Sequence, residues 1–163
     1  MAETELDAFA EVLGGPVYVV TVAAGGERSG CLVGFASQCS IRPPRFMVWL
    51  SVRNHTFRVA RGASHLAVHV LDRGGQPLAE LFGGETGDEV DKFAQVDWRP
   101  SADGSPVLSG ARAWFVGRIE TRTDGGDHVG FLLAPTEVCP PVRPAPVLLR
   151  YDDVKHIDPG HPA

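Results

Sequence analysis

The sequence predicts a mainly β protein, an antiparallel barrel with a few short flanking helices. Short runs rich in β-branched and aromatic residues recur along the chain, and turn-forming residues separate them. The helical segments are short and do not alternate regularly with the strands, as a doubly wound parallel sheet would require. The runs that predict strands are residues 17–22, 31–35, 46–52, 65–71, 113–119, 129–133 and 147–151.

Three short helices are expected beside these strands. Apolar side chains at helical spacing predict an N-terminal helix over residues 3–13, which ends at a pair of glycines. Asn54 is a typical N-cap residue and opens a second helical stretch, which covers residues 57–61. A third stretch covers residues 77–82. The apolar positions of the first helix are Leu6, Phe9, Ala10 and Leu13.

The length and composition indicate one domain. The chain has 163 residues, of which 44% are hydrophobic and 21% are charged, and this is enough for a sizeable core. We expect a single domain over residues 1–163, with a flexible C-terminal tail over residues 156–163. The runs 17–22 and 46–52 are apolar on both faces, so the outer surface of the barrel should also be covered. Helices can cover part of it, and a homodimer would cover the rest.

Charge and cysteine content exclude several classes of partner. The formal net charge is -5 and no basic cluster occurs, which argues against nucleic acid and against an anionic membrane surface. The chain has no apolar stretch of membrane-spanning length, and its N-terminus is acidic where a signal peptide is basic. A cytoplasmic protein is therefore expected. Cys31, Cys39 and Cys139 form no metal-binding spacing, so we expect reduced thiols and no metal.

A segment rich in glycine and serine, residues 29–44, is the first candidate for ligand binding. Gly30 and Gly34 would allow a ligand to approach the backbone, and free N–H groups and serine hydroxyls could bind a phosphate or the polar edge of a flat heterocycle. The alternative is a loop that merely joins two strands, and this is the stronger reading of the segment alone. Neither a GxGxxG nor a P-loop motif occurs, which argues against those nucleotide sites.

A second polar cluster, Asn54, His55 and Thr56, stands where a strand meets a helix. The helix N-terminus and the Thr56 hydroxyl would form an anion pocket, with Arg53 or Arg58 supplying positive charge. The alternative is that Asn54 simply caps the helix, and the two roles can coexist.

The third candidate is the turn at residues 125–128, which ends in His128 and lies between two strand-like runs. A hairpin places an imidazole where it is rigidly held and open to solvent, and histidine titrates close to neutral pH. Taken alone, a solvated histidine beside ordinary turn residues is the commoner outcome.

In their order along the chain, these segments resemble the flavin reductase-like family. Its members are FMN-binding split-barrel proteins that serve as NAD(P)H:flavin reductases of two-component monooxygenases. The resemblance covers nearly the whole chain. The matching pieces are residues 15–21, 30–44, 54–56, 65–71, 78–82, 91–93, 97–100, 104–108, 125–128 and 146–151.

The resemblance implies a homodimer with one flavin, FMN or FAD, in each subunit. Hydride would pass from NADH or NADPH to flavin N5, and the reduced flavin would go to a partner monooxygenase. His128 is the implied catalytic residue, because with Arg150 and Tyr151 it lines the nicotinamide side, where it orients the donor and is not a nucleophile. The residues implied to bind the flavin are Ser29, Gly30, Cys31, Leu32, Val33, Gly34, Phe35, Ser37, Ser51, Asn54, His55 and Thr56.

Three departures from the family pattern affect these expectations. Residues 32–35 read Leu-Val-Gly-Phe where the family has Thr, Ala or Val, Asn or Gln, then Ser, so side-chain hydrogen bonds to the flavin are lost. Residues 133–135 replace a usual glycine after His128, and Arg42 stands where an acidic residue is common. The alternative function is therefore a split-barrel protein that binds FMN, FAD, a deazaflavin or haem without turnover of nicotinamide.

Overall fold

The computed structural model describes residues 3–160. Nine strands, four α-helices and two short 3-10 helices, Arg73–Gly75 and Lys92–Gln95, are found in this part of the chain. The strands are β1 Tyr18–Ala24, β2 Glu27–Val33, β3 Ala36–Ile41, β4 Pro44–Ser51, β5 His65–Val70, β6 Trp98–Pro100, β7 Pro106–Leu108, β8 Ala113–Asp124 and β9 His128–Cys139. The helices are α1 Glu3–Glu11, α2 His55–Ala60, α3 Gln76–Gly84 and α4 Tyr151–Val154.

Seven of these strands form one antiparallel sheet in the order β2-β1-β5-β8-β9-β4-β3, and β6 and β7 form a separate hairpin. The sheet curls on itself, because strands near its two ends line the same core. Cys31 from β2 packs there with Leu50 from β4 and with Phe131 from β9. The helix α2 packs against β1 and β2 at this core. The predicted mainly β, antiparallel architecture with short helices is confirmed.

The outer face of β1 and β2 carries a second core. Helix α3 supplies Phe82 to it, and residues near the C-terminus supply Leu149 and Val154. Gly30 is needed at this contact, because a Cβ there would lie 2.7 Å from the ring of Phe82. The prediction from the apolar run 17–22 that both faces of the strand are covered is therefore correct, and α3 provides part of the cover.

The segment between β2 and β4 was expected to bind a ligand or to be a loop that merely joins two strands, and it contains a strand instead. Residues 36–41 form β3, which is an edge strand paired with β4. Sequence periodicity missed β3 because most of its side chains are exposed and polar, so no apolar face marks it. Edge strands of this kind carry little hydrophobic signal.

The prediction of a strand at residues 147–151 is wrong. Leu148 forms only an isolated bridge to Asp72, and Arg150 forms one to Pro16. Tyr151 already begins α4, because the Asp153 carboxylate accepts from the Arg150 N–H at 2.9 Å and caps the helix.

The N-terminal helix, expected to reach residue 13, ends at Glu11. In the expected flexible tail, Ile157 packs against the second core, and a Cβ at Gly160 would lie 2.6 Å from the Glu85 backbone. The end of that tail, residues 161–163, lies outside the described residues. None of the helices within residues 3–160 has the length and apolar character required to traverse a lipid bilayer.

Candidate functional site

The outer face of β3, β4 and β9 brings together several residues singled out from the sequence. Val48 and Leu50 point into the core, so the alternate positions of β4, including Ser51, face outward. Ser51 pairs with His128 of β9. Phe35, just before β3, accepts a backbone hydrogen bond from Trp49 at 2.9 Å. This outward-facing group, with Ser37 on β3, is called the β4–β9 face below.

Trp49 on this face holds the turn between β8 and β9 in place. A Cβ on Gly125 would lie 2.6 Å from the Trp49 indole, and one on Gly130 would lie 2.9 Å from it. The Val52 N–H also donates to the Asp127 carbonyl at 2.9 Å. Sequence reasoning missed Trp49. The signal that could have found it is Gly130, since a glycine inside a strand often marks the close approach of another group.

His128 is fixed on two sides. Its Nδ1 lies 2.6 Å from the Asp127 carboxylate, and its ring centroid lies 5.1 Å from that of Phe35. The hydrogen bond from His128 lowers the pKa of Asp127 below its ordinary value, and the charge of Arg53 acts in the same direction. The Phe35 side chain is 62% exposed, so the aromatic pair presents an open apolar surface to solvent.

The β2 residues assigned to the flavin are mostly enclosed by the protein itself. Cys31 and Val33 belong to the inner core, and burial raises the pKa of the Cys31 thiol. Phe82 fills the space where a Cβ of Gly30 would lie, so Gly30 is open only toward the cavity that it lines with Ser29, and its role in flavin binding stays a prediction. Leu32 packs against Gly83 on the same side.

Gly34 fits its expected role better, because a Cβ there would meet no atom within 4 Å. Within the run 29–35, Gly34 and Phe35 are therefore the residues with open surroundings.

The second polar cluster is assembled, but largely out of reach of a ligand. Ser29 Oγ lies 2.7 Å from His55 Nδ1 and 2.9 Å from Thr56 Oγ1. The Asn54 side chain accepts from the Thr56 N–H at 3.0 Å, so the capping role of Asn54 is confirmed. Thr56 is fully buried. The expectation that the Thr56 hydroxyl lines an anion pocket is therefore corrected, because this hydroxyl is buried and hydrogen-bonded to Ser29.

Arg53 and Arg58, the two candidate cations beside this cluster, differ in their pairing. Arg58 forms a salt bridge with both carboxylate oxygens of Asp88 and donates to the Arg53 carbonyl. The Arg53 guanidinium makes no hydrogen bond or salt bridge with any residue that the structure describes, and its charge acts on Asp127. Arg53 is therefore the cation left available near His128.

Lys92 is a buried charged residue that the site predictions left out. Its Nζ donates to the Gly30 carbonyl at 2.9 Å and to the Phe82 carbonyl at 3.1 Å, and burial lowers its pKa. It joins β2 to α3 and lines a cavity of about 240 Å³ together with Arg28 and Ser29. The sequence signal that could have singled out Lys92 is its place in segment 91–93, one of the pieces that carry the family resemblance.

Arg150 and Tyr151 lie beside the start of β1. The Arg150 guanidinium donates to the Gly14 carbonyl at 3.4 Å, and the Tyr151 N–H donates to the Gly15 carbonyl at 2.9 Å. Within residues 3–160, no contact joins either of them to His128. Their assignment to the nicotinamide side stays a prediction from the resemblance.

Comparison with known proteins identifies the family. Residues 10–156 match the model of the flavin reductase-like domain. This match spans most of the chain, so the chain belongs to the flavin reductase-like family, and the resemblance found in its sequence is confirmed.

Two relatives and one solved structure illustrate the similarity. The chain is 33% identical to the reductase subunit HsaB of a flavin-dependent monooxygenase of Mycobacterium tuberculosis, over 78% of this chain and 70% of that one. It is 33% identical to the FMN reductase (NADH) RutF of Ancylobacter novellus, over 71% of this chain and 64% of that one. The NADH:FAD oxidoreductase SgcE6 of Streptomyces globisporus superposes with a TM-score of 0.75 at 26% identity, over 85% and 84% of the two chains.

Proposed function

We propose that this protein is an NAD(P)H:flavin oxidoreductase that reduces FMN or FAD and releases it to a partner monooxygenase. The observation that carries the proposal is the β4–β9 face, where Asp127 holds the His128 ring beside the exposed Phe35 side chain. Relatives named as an NADH-dependent FMN reductase and as the reductase subunit of a flavin-dependent monooxygenase support the activity and the kind of partner.

The residues of the β4–β9 face fit a flavin. A flat heterocycle needs an apolar wall and an approachable backbone, and the exposed Phe35 ring and the open surroundings of Gly34 supply them. When bound, the flavin supplies the hydride-accepting centre. His128 orients the nicotinamide donor by a hydrogen bond. Ser51 is its cross-strand neighbour, but Ser51 is buried and its hydroxyl accepts from the Arg53 N–H at 3.4 Å.

The test of this function is a steady-state assay of the purified protein with FMN or FAD and with NADH or NADPH. We expect NAD(P)H oxidation well above the rate without protein for at least one pairing. Tight binding of flavin with no oxidation in any pairing would support the alternative, a binding protein without nicotinamide turnover.

Arg53 is expected to bind a phosphate of the flavin or of the dinucleotide. Replacing it (Arg53→Ala) should weaken binding of FMN about tenfold, the loss of one charge-assisted hydrogen bond of roughly 1.5 kcal/mol. Binding of riboflavin, which has no phosphate, should be unchanged. Arg58→Ala is the matched control, because Asp88 already neutralises Arg58. Equal effects on FMN and riboflavin, measured by fluorescence titration, would place the phosphate elsewhere.

We also propose a homodimer. Helix α1 leaves its apolar side chains exposed, and further apolar residues are exposed along β3 and near the C-terminus. Contiguous exposed apolar patches usually mark an interface, and the chain from α1 to residue 13 carries four exposed apolar side chains close together in sequence. The side chains concerned are Leu6, Phe9, Val12, Leu13, Ile41, Val138, Val142 and Val147.

Size-exclusion chromatography with light scattering should give the mass of two chains. The double substitution Phe9→Glu and Val12→Glu should lower the dimer fraction at micromolar concentration, because it puts charge into the proposed interface. A monomer for the unmodified protein would contradict the dimer.

The free thiols Cys39 and Cys139 are exposed, which supports a reducing compartment such as the cytoplasm as the proposed location.

A further inference from the structure

The restraints on His128 distinguish its two ring nitrogens. Nδ1 lies 2.6 Å from Asp127 Oδ1, whereas Nε2 has no hydrogen-bond partner among the described residues. Phe35 covers part of the ring at a centroid separation of 5.1 Å and an interplanar angle of 55°. The imidazole is therefore held at one nitrogen and along one face, which leaves Nε2 for a ligand.

The chemistry of Asp127 decides which atom carries the proton. An ionised carboxylate only accepts hydrogen bonds, so the Nδ1 atom must be the donor. The charged groups around the pair favour the ionised carboxylate. Arg53, which follows β4, brings a positive charge toward Asp127, while Phe35 and Ser51, from the other segments against the ring, carry no charge.

We propose that Asp127 is a positioning residue that, in the uncharged form of the ring, fixes His128 as the Nδ1–H tautomer, so that Nε2 faces the hydride donor as a hydrogen-bond acceptor. An imidazole with Nε2 as acceptor recognises an N–H group of the ligand. The carboxamide of a nicotinamide offers such a group next to the carbon that releases the hydride. The choice of ligand rests on the proposed function, but the tautomer does not.

The tautomer is measured directly by nuclear magnetic resonance of the protein labelled with ¹⁵N at histidine, at about pH 8.5, two units above the ordinary histidine pKa. We expect His128 to carry its proton on Nδ1. His69 is an internal reference, because its Nδ1 lies 2.9 Å from the Val19 carbonyl and its Nε2 accepts from the Leu108 N–H. Exposed His156 should show the mixture typical of a solvated imidazole.

Asp127→Ala should convert His128 to a mixture of tautomers, and Asp124→Ala should leave it unchanged. Asp124 is the matched control, because it is an exposed aspartate of the same hairpin without a side-chain partner among the described residues. The proposal is overturned if His128 in the unmodified protein carries its proton on Nε2, or if Asp127→Ala leaves the tautomer unchanged.

A kinetic measurement separates positioning from a merely structural role. Asp127→Ala should raise the KM for NAD(P)H about tenfold with little change in the Kd for flavin, as expected when one hydrogen bond to the donor is weakened. Equal losses of flavin and donor binding would contradict the proposal. If the protein oxidises no NAD(P)H yet His128 is the Nδ1–H tautomer, the proposed function fails and the positioning role of Asp127 stands.

Discussion

His128→Ala should lower the rate of hydride transfer about 100-fold, because the donor loses the group that orients it and small misplacements of reacting atoms have effects of this size. The Kd for flavin should change little, since the exposed Phe35 ring, Gly34 and Arg53 remain. Single-turnover reduction of the flavin under anaerobic conditions measures the rate of hydride transfer, and fluorescence titration measures the Kd for flavin.

The control for this substitution is His156→Ala, because the His156 side chain is 60% exposed and lies outside the β4–β9 face. His156→Ala should leave the rate of hydride transfer and the Kd for flavin unchanged. An equal loss of flavin affinity and of rate in His128→Ala would show that His128 contacts the flavin and not the donor.

The second large effect concerns stability in acid. His69 is fully buried, its Nε2 accepts from the Leu108 N–H, and burial lowers its pKa from 6.5 to about 4. Below about pH 6.5 the unfolded chain binds a proton at this residue and the folded chain does not, so stability falls as the pH decreases. Between that pH and the folded-state pKa, the free energy of unfolding should decrease by about 3 kcal/mol through His69.

Urea denaturation across this pH range measures the effect. In His69→Gln, which removes the titrating group, the dependence on pH should be shallower than in the unmodified protein. Should that variant fail to fold, the titration of His69 in the unmodified protein, followed by nuclear magnetic resonance, replaces it. Protonation of His69 in the folded protein near pH 6.5 would contradict this account.

The sequence was sufficient for most of the strands and for the turn that carries His128. Strong apolar runs, such as those of β1 and β4, predict strands, and the run around β1 is covered on both faces, by the inner core on one side and by the second core on the other. The hairpin at residues 125–128 was predictable because two consecutive glycines mark a turn. Gly126 has a φ of 113°, a backbone conformation that glycine adopts readily.

Other features depend on tertiary contacts that no local pattern reveals. The roles of Trp49 and Lys92 arise from glycines and carbonyl groups far away in the sequence. The apolar run at residues 147–151 predicts a strand by composition, but Asp153 captures the Arg150 N–H and starts a helix there. The sequence also does not show that Phe82 packs against Gly30 on the side where a Cβ would lie.

Phe35 is the departure from the family pattern with the clearest structural consequence. The resemblance implies a serine at this place, whereas here an exposed aromatic ring packs against His128. In the proposed flavin site, Phe35 would replace a hydrogen bond to the cofactor with an apolar surface on which a flat ring can stack. The proposed flavin site therefore relies on stacking against Phe35 and not on the polar side chains that residues 32–35 lack.

Hydride transfer from NAD(P)H to the flavin is tested by an anaerobic mixing experiment with oxidised FMN or FAD and with NAD(P)H that carries deuterium at the transferred position. We expect the oxidised-flavin absorbance to be lost in the presence of the protein, at a rate that deuterium lowers. Absorbance that stays constant with every flavin and every nicotinamide would contradict it.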